Sequence, residues 1–470
     1  MKKINKIVKP ERPAGFLDYG PDEHRAREEM ISSISKVFAN FGFDPIETPV
    51  AEFYKVLLGE DETSKNIFSL RVRGNTEDDL ALRFDHTVPF ARFLAANPYD
   101  SQKKTGIRLP WRRSVFGPVF RGETPQKGRF RQFYQYDIDI AGSAQMISDA
   151  EIIAIIFHTL SLWKCDFRIS INSRKILDGL TEYLQIENRL QVSVADIGKE
   201  IMHILDKSAK ISGGEFREEL TSLPDNKFDP RPNLNDDQFA KLQAFISLKG
   251  NNCELLESAA LLFIDNSSAK EGIQELTEIM SYLPSLGVDI NKIIVDFSIA
   301  RGLDYYTGTV FESSLIDAPE FGSVFSGGRY NDLVSRFTGQ ELPAVGASIG
   351  VDRLFAALRQ LNVIEIVKKR EADILVLHLS DKHDVITESL KIAYRCRLVG
   401  YKTEMSLVSD RSFKAQLGYA VSQNYRYVII YGDDEHLKGR VEIKDLFIRQ
   451  QVSVDLLELE NFLTSKISKS

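Results

Sequence analysis

Between residues 21 and 41 the apolar positions Ala26, Met30, Ile31, Ile34, Val37, Phe38 and Phe41 fall on one helical stripe. Pro21 at the start, Asp22 and Glu23 in the first turn and Gly42 after the end complete the pattern of a helix packed on a core. Residues 42–49 then run extended, and residues 80–92 read as a strand entering a helix. A period of two replaces the helical one in FRGETPQKGRFRQFYQYDIDIAG, residues 120–142. Its Gly- and Pro-bearing turn at 124–128 between aromatic-rich runs predicts a β-hairpin. On the return strand Phe130, Gln132, Tyr134, Tyr136, Ile138 and Ile140 share a largely apolar face, and Arg129, Arg131, Phe133, Gln135, Asp137 and Asp139 share the other. Residues 149–163 predict a buried helix and 167–172 a strand. Residues 173–291 carry amphipathic helical pieces around a Pro- and Asn-rich loop at 222–237, which suggests a helical insertion. Strand-like sequence resumes at Lys292 and carries RGLDYYTG, residues 301–308. A Gly-spaced strand at 346–350 enters a helix with Arg353 in its first turn. After a linker at 361–370, strand and helix patterns alternate from residue 371, as in a small mixed or parallel sheet covered by helices.

At 470 residues, with 43% hydrophobic and 27% charged positions, the chain is globular and long enough for two or three domains. Its net charge of −7 argues against nonspecific coating of nucleic acid. One stretch reverses that sign. From 108 to 131 the chain has Arg108, Arg112, Arg113, Arg121, Lys127, Arg129 and Arg131 against a single acid, Glu123, a local field that attracts phosphate. Cys165, Cys253 and Cys396 are scattered and provide neither a disulfide framework nor a CxxC site, which points to a reducing, cytoplasmic setting. The basic N-terminus is followed by no apolar run of the secretory kind, and the longest apolar stretch, 152–163, is too short to span a bilayer.

The polar face of the hairpin lines up cations, an aromatic platform, an amide and two carboxylates. That suits a ligand with phosphate at one end and N–H donors at the other; a solvated sheet face reads the same way by periodicity alone. Asp137 and Asp139 also have the spacing of a two-carboxylate metal site. Asp85 and Thr87 either cap the helix that follows or accept hydrogen bonds from a substrate ammonium. Backbone N–H groups with Arg353 at a helix start make an anion site, although close strand–helix packing explains the glycines equally.

FRGETPQKGRFRQF resembles motif 2 of the class II aminoacyl-tRNA synthetases, and VGASIGVDRL resembles motif 3. The helix leading to DPIETP resembles motif 1, with Pro49 as its proline. RGLDYYTG, SGGRY and LRFDHT resemble the histidyl-tRNA synthetase family over nearly the whole chain. The resemblance implies an α+β fold: a catalytic domain on an antiparallel sheet flanked by helices, in two parts (1–172 and 292–365), a helical insertion (173–291) and a C-terminal α/β anticodon-binding domain (371–470). It implies ATP-dependent activation of L-histidine and transfer to tRNA(His), with Mg2+ accompanying ATP, in a homodimer. Arg121 would grip the α-phosphate, Arg301 would sit between it and the amino-acid carboxylate, Glu123 and Phe133 would hold adenine, and Arg129 and Arg353 the outer phosphates. Asp85, Thr87 and Gln135 would take the α-amino group, with Asp139, Tyr305, Tyr306 and Tyr330 around the imidazole. The rival reading is a catalytically silent relative, such as a regulatory subunit of ATP phosphoribosyltransferase. The chain departs from the bacterial pattern at Thr124 and at Phe16-Leu17, and has Asp85 and Asp139 where many members have Glu.

Overall fold

The computed structural model describes residues 8–58, 66–71, 79–189, 191–207, 212–300, 306–368 and 370–466. It divides into two units, residues 1–365 and 366–470. The first is built on an eight-stranded sheet: β1 (Asp44–Pro45), β2 (Trp111–Phe120), β3 (Gln132–Ala141), β4 (Phe167–Ser173), β5 (Ile293–Val295), β6 (Thr309–Leu315), β7 (Ser323–Tyr330) and β8 (Ala344–Gly350). Their order is β1-β2-β3-β8-β7-β6-β4-β5. The six inner strands are antiparallel throughout, and only the edge pairs β1·β2 and β4·β5 are parallel.

Four helices bear on this sheet: α1 (Pro21–Asn40), α2 (Thr87–Ala96), α3 (Met146–Leu160) and α4 (Val351–Gln360). Helix α3 packs across β3, β4, β6, β7 and β8. Its Ile152, Ile153, Ile155 and Ile156 are fully buried, each contributing about 1.5–3 kcal/mol of transfer free energy. Among the described residues, six further helices lie between Arg174 and Tyr282 in the same unit.

The predicted first helix forms over Pro21–Asn40, with Gly42 at φ +76° just beyond it. Its buried stripe is Arg27, Met30, Ile34 and Phe38, so a guanidinium replaces part of the apolar face. It is buried because it is paired: Arg27 Nε donates to Asp352 at 2.8 Å, and its plane lies over Tyr134, 4.4 Å from the ring centre.

The hairpin of β2 and β3 is present, but residues 121–131 lie outside both strands, a longer connection than the predicted turn. Arg121 N still donates to Arg131 O at 2.8 Å, whereas Arg131 N donates to Gly15 O at 2.8 Å. The N-terminal segment thereby takes over the ladder, so Arg129 and Arg131 belong to the loop. The strand predicted from Lys292 is also interrupted: β5 ends at Val295, where Asp296 Oδ1 accepts from Ser298 N at 3.0 Å and turns the chain. Tyr306 therefore precedes β6 and is not part of a strand, and Arg301 and Tyr305 lie outside the described residues.

The second unit has a five-stranded sheet ordered Thr403–Met405, Ile374–His378, Tyr427–Tyr431, Arg440–Asp445, Gln450–Asp455. The first three strands are parallel and the last two pair antiparallel, an added hairpin that sequence patterning did not show. Ile374, Val376, Ile392, Ile429, Leu459 and Leu463 make a core of its own.

Candidate active site

Strand alternation decides what faces the cavity. On β3, Gln135, Asp137 and Asp139 point one way. Opposite them on β2 stand Gly117, Val115 and Arg113, and on β8 Gly350, Ser348 and Gly346. Gly346 is required by proximity, because a Cβ there would overlap the Asp139 carboxylate. Next along the sheet, β7 contributes Ser326 and Tyr330. From the other side comes the segment entering α2, where Asp85 Oδ1 accepts from Val88 N at 3.2 Å. Asp85 thus accepts from the first turn of α2, as the capping reading expects, and also lines the cavity.

A cavity of about 410 Å3 results, bounded by Asp85, Thr87, Arg121, Glu123, Gln135, Asp137, Asp139, Tyr306, Tyr330 and Ser348 among others. Its deep end is carboxylate-rich and nearly sealed from solvent. Arg113, fully buried, brings Nη2 to 2.5 Å from Asp139 Oδ2, and its guanidinium lies 4.3 Å from the centre of the Phe90 ring. The Tyr330 hydroxyl donates to Asp139 Oδ1. Burial lifts the Asp139 carboxyl to about 6, with Arg113 opposing the rise. Asp137 rises to about 7 for the same reason, and Asp85 moves up as well. Burial beside the Asp139 carboxylate raises the Tyr330 phenol, which stays a donor at neutral pH. Burial next to Arg83 and Arg113 lowers His86 to about 3, so its imidazole is neutral.

A second, smaller cavity of about 130 Å3 adjoins the first and shares Arg121, Glu123, Gln135, Ser326 and Ser348 with it. Arg129, Phe133 and Arg353 complete this outer space. Arg121 Nε donates to Phe84 O at 3.1 Å, and its guanidinium lies 5.3 Å from the centre of the Phe133 ring. Arg353, in the first turn of α4, donates to Gly128 O at 3.3 Å and Ser323 O at 2.5 Å. The arrangement is polarised: carboxylates and a phenol at the deep end, three arginines at the outer end, Arg121 and Gln135 at the junction. A zwitterion in the deep end would present its carboxylate to the junction, where a phosphoryl group held by arginines can meet it.

Of the residues singled out from sequence, Asp85, Thr87, Arg121, Glu123, Arg129, Phe133, Gln135, Asp139, Tyr306, Tyr330 and Arg353 all line one or both cavities. Arg113 and Ser348 were missed as members of the site, and Asp137 was read as one residue of a polar face and as half of a two-carboxylate metal pair. Alternation on β2 and β8 would have found the first two once the strand registers were known. Among the described residues no group of three or more His, Cys, Asp or Glu is placed to hold a metal ion.

Comparison with known proteins agrees with this geometry. Residues 15–354 match the family model for histidyl-tRNA synthetase, and residues 373–466 match that of the anticodon binding domain. The chain is 39% identical to the histidine–tRNA ligase of Clostridium tetani, covering 96% of this chain and 97% of that protein. Identity to the corresponding ligase of Wolinella succinogenes is 36%, with 94% and 95% covered. The crystal structure of histidyl-tRNA synthetase from Nostoc sp. PCC 7120 superposes with a TM-score of 0.77 at 29% identity, covering 98% of this chain and all of that one. A polarised cavity on an antiparallel sheet, and sequence matches that run nearly end to end, place the chain in the histidyl-tRNA synthetase family.

Proposed function

We infer that the chain is a histidine–tRNA ligase, which activates L-histidine with ATP and transfers it to the 3′ end of tRNA(His). The observation that carries the residue roles is the junction of the two cavities at Arg121 and Gln135. Histidine occupies the deep end. Its ammonium meets Asp85, Thr87 and Gln135, and its imidazole meets Asp139 and Tyr330, with Tyr306 at the wall. Mg2+ bound with ATP would screen the charge of the outer phosphates beside Arg129 and Arg353. Phe133 stacks on adenine, Glu123 accepts from its amino group, and Arg129 and Arg353 take the outer phosphates. We assign Arg301 and Tyr305 to the carboxylate–phosphate contact and the imidazole wall on the RGLDYYTG resemblance alone.

The histidine carboxylate oxygen attacks the α-phosphorus in line; the bond to the bridging oxygen breaks and pyrophosphate departs with the electron pair. No general base is needed, since the nucleophile is already ionised. Arg121 stabilises the charge that builds on the α-phosphoryl oxygens. A terminal ribose hydroxyl of tRNA then attacks the acyl carbon of the adenylate, and AMP leaves. The imidazole is selected by the polar wall it meets: an apolar amino acid of similar size would cover the Asp139–Tyr330 pair without adding a hydrogen bond to it. We further propose that residues 173–291 form an insertion contacting tRNA, that 371–470 read the anticodon, that the protein works in the cytoplasm, and that the exposed face of α1 pairs two protomers.

Replacement of Arg121 tests the chemistry. Arg121→Ala is expected to lower kcat for histidine-dependent pyrophosphate–ATP exchange by about 100-fold or more, with histidine affinity nearly unchanged. Unaltered kcat would remove Arg121 from the phosphoryl contact.

A further inference from the structure

Asp137 lies in the deep cavity between Gln135 and Asp139 on β3, yet family motifs give a task to both neighbours and none to it. The residue is only 3% exposed, and its Oδ1 has no hydrogen-bond partner. Gln135 Oε1, the adjacent acceptor on the same face, is likewise buried and unpartnered. Asp139 differs, because Tyr330 occupies one of its oxygens and Arg113 the other. A buried acceptor left without a donor costs about 1–3 kcal/mol. Two of them side by side in a cavity mark where a bound donor belongs.

The surrounding charges favour a cationic donor. Asp137 is faced by Arg113 from β2, Asp139 from its own strand, and Arg83 and Asp85 from the segment entering α2; Ser348, its cross-strand neighbour on β8, is placed to donate a hydrogen bond to the carboxylate. The two guanidinium groups are shared among more carboxylates than these three, since Arg83 also faces Glu47 and Glu52, so a further cation is favoured once Asp137 ionises. Arg121 and Arg336 act on Asp85 from farther round, and Arg121 also faces the phosphate side. Along β3 the order is Gln135, Asp137, Asp139, which the assignment above runs from the ammonium end to the imidazole end. The residue in the middle can reach an ammonium that Gln135 already holds.

We propose that Asp137 is a direct substrate ligand, its free Oδ1 accepting an N–H of the histidine ammonium beside Gln135, Asp85 and Thr87. This rests on the histidine-activating reading of the site and adds a second carboxylate to ammonium recognition. Burial raises the Asp137 carboxyl to about 7, so an arriving cation favours its charged form.

A ligand–residue cycle tests it. Histidine and imidazolepropionate, the same molecule without its amino group, are titrated into the full-length protein and into Asp137→Asn, with the KM for ATP and the melting temperature as controls. Histidine affinity is expected to fall about 10- to 100-fold in the variant, while imidazolepropionate affinity changes less than about threefold. Equal losses for the two ligands would overturn the proposal. So would a variant, or the smaller Asp137→Ser, that melts early and loses ATP affinity too, since that marks a carboxylate needed by the fold. A wild-type protein that binds no histidine would overturn the histidine reading itself, an outcome distinct from failure of the cycle.

Discussion

At the scale of single residues, the deep end of the site depends on one buried cation. Arg113 sets Nη2 beside Asp139 as an ion pair, and none of Nε, Nη1 and Nη2 has a hydrogen-bond partner. It is therefore held by charge and by the Phe90 face more than by hydrogen bonds. Its effect on Asp139 has a sign that can be checked. The carboxyl already sits near 6 with Arg113 in place, so it is charged above that pH and loses its charge as pH falls through it. Removing the guanidinium leaves burial unopposed and moves the titration higher. Arg113→Met is thus expected to raise the histidine KM at neutral pH, with a defect that shrinks as pH rises toward 8.5 and leaves the KM for ATP unchanged. A defect independent of pH would mean that Arg113 only shapes the pocket. None of this was legible from sequence. Arg113 stands in a basic cluster that reads as solvent-facing phosphate attraction, and only the pairing Arg113↔Asp139 across β2 and β3 turns it inward.

At the scale of elements, the strand and helix that frame the outer cavity are joined by one carboxylate. Asp352, in the first turn of α4, accepts from Tyr19 Oη at 2.9 Å, Arg27 Nε at 2.8 Å and Tyr134 N at 2.7 Å. It ties α1, α4 and β3 together next to Arg353. Asp352→Ala strands the buried Arg27 and is expected to cost about 3–5 kcal/mol in urea unfolding; Asp352→Asn, which keeps an acceptor for Tyr134 N, should cost less. Equal stability of Asp352→Ala and wild type would show that solvent reaches Arg27. The elements themselves were largely legible. Helix α1, the β3 alternation from Gln132 onward and the Gly-spaced entry into α4 appear where the periodicities place them, with Arg27 taking a place in the buried stripe of α1. What failed was local competition for backbone partners. Gly15 captures Arg131 N and shortens β3, and the Asp296 turn ends β5 before the tyrosines. The first depends on a neighbour more than a hundred residues away, which no window along the sequence contains; the second is a local Asp–Ser turn that was open to sequence reading and was passed over. The hairpin at residues 440–455 was missed for another reason: Arg440, Glu442, Lys444 and Asp445 make a strand with only Val441 and Ile443 buried, too short a pattern to stand out.

At the scale of the whole molecule, each unit has its own buried core, and both cavities lie within residues 1–365. Amino-acid activation is accordingly expected from a fragment ending at residue 365, whereas transfer to tRNA should weaken by at least about tenfold in kcat/KM without residues 366–470. A fragment that folds but exchanges no pyrophosphate would contradict that division of labour. The central claim is that the polarised cavity selects histidine and joins it to the α-phosphate of ATP. Its most direct measurement is pyrophosphate–ATP exchange by the purified full-length protein against each of the proteinogenic amino acids. Exchange with histidine alone is the predicted result. Exchange with another amino acid, or none in a folded protein that binds ATP, would contradict it.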